Sequence, residues 1–99
     1  MGKPKYYWYW NVKKMIQRYP QLKEENSIQS GIFVKAIEKT IEETKNLPNG
    51  EERLSAIDSI FFKRCKTIEG VAMEMNYSWR TIQNWATTFI NAVGKSAGF

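Results

Sequence analysis

Arg80, Gln83, Asn84 and Thr87 stand at i, i+3, i+4 and i+7 near the C-terminal end of the sequence, the spacing of one helix face. Their side chains offer many hydrogen-bond donors and acceptors but only one charge. Such a face suits a polar partner better than the Lys- and Glu-rich surface of an ordinary solvated helix. An arginine fork can donate to O6 and N7 of guanine, and a Gln or Asn amide can pair with N6 and N7 of adenine. Trp79 could contact a thymine methyl or pack along a nucleic-acid backbone, and Thr81 could bond a phosphate. The competing reading is a structural helix hairpin whose polar side meets only water.

Chemistry of the catalytic kind has few candidates. The 99 residues contain no histidine and a single cysteine, Cys65, so the usual general bases, nucleophilic dyads and zinc sites are missing. The six glycines are scattered rather than gathered into a phosphate-cradling loop. The expectation is a binding module, not an enzyme, with no cofactor and no metal. No apolar run reaches the roughly 18 residues of a membrane span, and no signal peptide is read at the N-terminus, so the expected location is the cytoplasm.

The polar face needs elements to hold it. In the stretch from Thr67 to Trp85, Ile68, Val71, Ala72 and Met75 form the apolar stripe of a short helix, with Thr67 as its cap and Glu69 in its first turn. Ala72 is small, so a second helix can cross closely. Asn76 tolerates the positive φ that a tight turn demands, Tyr77 gives an apolar turn residue, and Ser78 is a good N-cap. Beyond it Ile82, Trp85, Ala86, Phe89 and Val93 share the face opposite the polar one. This is the pattern of a helix-turn-helix, whose second helix would carry Ser78, Trp79, Arg80, Thr81, Gln83, Asn84 and Thr87 into a DNA major groove.

Upstream the punctuation predicts more helices. Trp8, Val12, Met15, Ile16 and Tyr19 make one face of a helix from about Lys5 to Arg18, and Gln21 to Glu25 follow Pro20 as a short turn or helix. A longer helix starts near Gly31, with Phe33, Ala36, Ile37, Ile41 and Thr44 inward and Lys35, Glu38, Lys39, Glu42 and Glu43 solvated. The Leu47-Pro48-Asn49-Gly50 turn ends it. After Glu51 and Glu52, the residues Leu54, Ile57, Phe61 and Cys65 repeat at helical spacing, which predicts a buried, inert Cys65. Lys63, Arg64 and Lys66 then fall in the last turn of that helix. There they either complement its dipole or grip phosphates flanking the groove. The expected architecture is all-α, a single domain over 1–99. Residues 1–47 form aromatic and basic N-terminal helices, and 51–95 form the DNA-binding unit.

The net charge is +5, and its placement says more than its size. Residues 1–26 carry six Lys/Arg against two Glu, 27–62 carry four against six acids, and 63–99 carry five against two. A basic excess at both ends suits contact with a polyanion, double-stranded DNA above all, although an ordinary solvated surface would look similar. Five consecutive aromatics, Tyr6 to Trp10, wrap too much of a helix to be buried on one face, so Tyr6 or Tyr7, and Tyr9 or Trp10, should stay partly exposed. They mark either an interface, with a second copy in a homodimer or with RNA polymerase, or packing against the middle helix.

The motif from Val71-Ala72 to Trp85, ending in Phe89 and Ile90, resembles the sigma-70 region 4-like helix-turn-helix of small phage transcriptional regulators, the RinA/ArpU-like group. The step Arg18-Tyr19-Pro20-Gln21-Leu22-Lys23 after a basic, aromatic helix is similar to that group too. The resemblance implies a phage or prophage regulator of late or lysis-related genes, with Ser78, Trp79, Arg80, Thr81, Gln83 and Asn84 on its DNA-facing helix. This chain is shorter than many members and more aromatic at Tyr6 to Trp10. Two rival readings stand beside it: a protein–protein adaptor that uses the aromatic helix, and a DNA-packaging protein of the small-terminase kind.

Overall fold

The computed structural model describes residues 8–25 and 28–98, and every regular element among them is helical. α1 spans Tyr9–Gln17, α2 is a single turn over Tyr19–Leu22, and α3 spans Ile28–Lys45. α4 covers Gly50–Ile57, α5 Ile68–Met75 and α6 Trp79–Ser96. The all-α expectation holds. The anticipated start of the first helix at Lys5 and the exposure of Tyr6 and Tyr7 lie outside the described residues.

α6 is the central element, packed against α1, α3, α4 and α5. Its stripe of Ile82, Trp85, Ala86, Phe89, Ile90 and Val93 is buried along the whole length, and it serves two apolar clusters. The larger one joins Trp8, Tyr9, Val12 and Ile16 of the α1 region to Ile37, Ile57, Phe61 and the C-terminal half of α6. The smaller one lies under the helix-turn-helix and holds Ala56, Val71, Ala72, Ile82 and Trp85. The N-terminal helices and the helix-turn-helix therefore share α6 as a common wall.

In α3 the buried side includes Thr40 as well as Ala36, Ile37 and Thr44. Both threonine hydroxyls donate to the carbonyl four residues back, Ala36 at 2.8 Å and Thr40 at 2.7 Å, which allows their burial without an unpaired donor. Asn49 turns the chain at φ 59°, and Gly50 opens α4 against the end of α3. A Cβ on Gly50 would stand 2.5 Å from the Thr44 carbonyl oxygen, so no larger residue fits there without backbone movement.

One departure from the expected periodicity reshapes the next segment. α4 does not continue to Lys66 but passes into a turn of π-helix over Asp58–Phe62, closed by Lys63 N–H donating to the Asp58 carbonyl at 2.8 Å. The wider turn buries Phe61 and sends Phe62 toward Tyr19 and Phe89, at ring-centroid distances of 5.1 and 6.4 Å. The chain then leaves the helix. Cys65 consequently sits in an exposed loop rather than on a buried helix face, correcting the expectation of an inert core thiol. Lys63 caps the π-turn, and Arg64 and Lys66 belong to the loop beyond it rather than to a last helical turn.

Candidate nucleic-acid interface

The helix-turn-helix forms where the sequence placed it, and each local signal has a physical counterpart. Thr67 caps α5, its hydroxyl accepting from Gly70 N–H at 3.0 Å. α5 ends in a left-handed residue, Asn76 at φ 60°. Tyr77 N–H returns to the Ala72 carbonyl at 3.0 Å and Asn76 N–H to that of Met73 at 3.4 Å, a Schellman closure that satisfies two orphan carbonyls. Ser78 then caps α6 by accepting from Thr81 N–H at 3.2 Å, and its hydroxyl also meets that of Thr81 at 2.9 Å.

The turn is anchored from beneath and from the side. Ile82 is fully buried, and Trp85 nearly so, against Val71 and Ala72 of α5. Tyr77 sets its ring edge-on to Trp85 at 4.9 Å, and its hydroxyl donates to the Glu52 carboxylate of α4 at 2.8 Å. That hydrogen bond raises the Tyr77 phenol above its ordinary pKa. The guanidinium of Arg53 lies over the outer side of Trp85, 5.6 Å from the ring centre. Neither Glu52 nor Arg53 carries a sequence signal for this role, because both act across a separation of some 25 to 32 residues.

The outward face is less uniform than its spacing suggests. Arg80 and Asn84, one turn apart, are exposed and have no hydrogen bond or ion pair among the described residues. Trp79 is 43% exposed at the start of the helix. Gln83 and Thr87 are half-buried and engage each other, the Gln83 amide donating to the Thr87 hydroxyl at 3.3 Å. Thr81 is half-buried and tied to the Ser78 cap. Arg80, Asn84 and Trp79 therefore form the accessible part of the face, with Gln83 and Thr87 behind them.

The basic loop divides in the same way. Lys63 pairs with Asp58 at 3.2 Å, and Lys66 pairs with Glu74 of α5. The Lys66 hydrogen bond to Glu74 holds its ammonium above the usual lysine pKa. Arg64, exposed and at φ 54°, has neither kind of partner among the described residues. The sequence shows three equivalent cations; the structure leaves one unengaged. Met73, 81% exposed on α5, is a further accessible side chain that the sequence singles out only by its absence from the apolar stripe.

Among the described residues, no three acidic or thiol side chains come together as metal ligands, and no helix is long and apolar enough to cross a membrane. Comparison with protein-family models, with curated proteins and with solved structures finds no match to this chain.

Proposed function

We propose that the chain binds double-stranded DNA sequence-specifically, with α6 in the major groove and Arg80 and Asn84 reading base edges. One observation carries this reading. The Asn76 turn and the Ser78 cap present α6 with its apolar stripe locked by Ile82 and Trp85, while Arg80 and Asn84 stand opposite with their polar groups unengaged. A bidentate arginine–guanine or asparagine–adenine contact needs side chains in that state. Arg64 adds a phosphate contact beside the motif, and Trp79 lies where it can meet a thymine methyl or the backbone. By its resemblance to small phage regulators the protein controls transcription of phage or prophage genes in the bacterial cytoplasm. A single recognition helix gives a small footprint, so a homodimer on a palindromic site is the natural assembly.

Selection of bound sequences from a random duplex pool tests this directly. The expected result is an enriched motif containing guanine or adenine at fixed spacing. A pool that returns no preference while the protein remains folded sinks the reading.

A second reading, a protein–protein adaptor, draws on Trp10. This residue is 53% exposed on α1, with the Lys13 ammonium 5.3 Å from the centre of its ring. An adaptor would lose partner binding on Trp10→Ala and be indifferent to Arg80→Ala. The DNA reading expects the opposite.

A further inference from the structure

A cavity of about 210 Å³ opens between α3, α4 and α6. It lies at the seam of the two apolar clusters, since Ile57 and Phe89 in its wall belong to the larger and Trp85 to the smaller. Leu47 borders it and is 42% exposed, an apolar side chain left uncovered. Thr40 and Thr44 also face it, but their hydroxyl protons are spent on their own helix.

Two side chains of opposite charge complete the lining. Arg53 donates its Nε–H to the Pro48 carbonyl at 3.0 Å and lies over Trp85, which leaves both Nη groups without a partner among the described residues. Glu43 is exposed, and its carboxylate has no hydrogen bond or ion pair there. The DNA interface uses neither of them in direct contact.

We propose that this cavity binds a small aromatic zwitterion, with its ring against Leu47 and the Ile57–Phe89 wall beside the Arg53-covered indole of Trp85, its anionic group on the free Nη groups of Arg53 and its cationic group on Glu43. The size fits. A cavity of about 150 Å³ accommodates a benzene molecule, so the observed volume has room for one ring and a short polar chain. The charges fit as well. An arginine fork matches a carboxylate, whereas an acid without an amine would meet Glu43 and an amine without an acid would meet Arg53. The site stands on its own geometry and needs no DNA for its detection.

The test titrates the full chain, labelled with ¹⁵N, with phenylalanine, phenylacetate and phenethylamine, following amide shifts by NMR. Phenylalanine is expected to give saturable shifts centred on Thr44, Leu47, Trp85, Phe89 and Ala92. Phenylacetate and phenethylamine should each bind roughly tenfold more weakly, having lost one charge-assisted contact. Ala92→Leu should fill the cavity and abolish the shifts. Glu43→Gln, on an exposed side chain that leaves the fold intact, should weaken phenylalanine and spare phenylacetate. The proposal is overturned if no probe gives saturable shifts at millimolar concentration, if the three bind equally, or if Glu43→Gln changes nothing. None of these results bears on DNA binding, which is read separately.

Discussion

The indole of Trp8 lies directly on the backbone of Gly94, so closely that a methyl group on Gly94 would stand 2.2 Å from Trp8 Cζ3. This contact fastens the start of α1 to the end of α6, and with it the larger apolar cluster to the element that carries the polar face. Gly94→Ala forces the indole aside and should cost about 1–3 kcal/mol by overpacking. In thermal unfolding that is a drop in Tm of roughly 4–8 °C per kcal/mol for a domain this size. Gly31→Ala, where nothing lies within 4 Å, is the control and should leave Tm unchanged or raise it slightly. Equal stability of the two variants would remove the Trp8 contact from the account.

Asn76 holds the turn between α5 and α6 in the left-handed region at φ 60°. Asn76→Gly should be nearly neutral, because glycine adopts that conformation without penalty. Asn76→Val should cost about 1–2 kcal/mol, since a branched side chain is strained there. Urea unfolding of both variants separates the two outcomes, and a stable valine variant contradicts the turn geometry.

Arg80 and Arg64 are expected to fail differently. Arg80→Ala should weaken binding to the selected duplex by about 1–3 kcal/mol and relax preference at one base position. Arg64→Ala should weaken binding to all sequences alike and reduce the salt slope by about one. Lys63→Ala, whose cation is already paired with Asp58, should change the slope less than Arg64→Ala. Binding isotherms at several salt concentrations decide between them.

The Lys66–Glu74 pair engages a cation beside the motif. Glu74→Gln should release it, tightening DNA binding and steepening the salt dependence by about one counterion. Unchanged affinity and slope would mean that Lys66 lies outside the DNA footprint.

Tyr19 supplies a pH signature. Partial burial, reinforced by its hydrogen bond to the Glu38 carboxylate at 3.1 Å, pushes its phenol from 10.0 up to about 12. The fold favours the protonated phenol, so its contribution to stability is complete below pH 10.0 and lost as pH rises toward about 12. Because the Tyr77 phenol is raised as well, the comparison is made in a Tyr77→Phe background, where phenolate absorbance should show a late titration step that disappears on adding Tyr19→Phe. A late step that survives in the double variant refutes the assignment.

Much of this architecture is written in local sequence because it is local physics. Thr67, Asn76 and Ser78 sit in caps and a turn closed by backbone groups three to five residues away, so their types alone define them. The stripes of α1 and α6 are equally legible, since a core removes every third or fourth side chain from water whatever the partner helix is. Cys65 shows the limit. Its spacing from Phe61 is that of a helix, and only the π-turn at Asp58–Phe62, which buries Phe61 and packs Phe62 on the distant rings of Tyr19 and Phe89, places it in a loop.

By itself, then, the sequence determined the caps and turn of α5 and α6 and which side of α6 is apolar, because those depend on neighbours along the chain. Tertiary structure decided which polar groups remain unengaged. Asp58 and Glu74 occupy Lys63 and Lys66, Glu52 takes the Tyr77 hydroxyl, and the Nη groups of Arg53 stay unpaired beside a cavity. Those relationships span 5 to 25 residues or join separate helices, and no periodicity encodes them because they arise only when the helices pack.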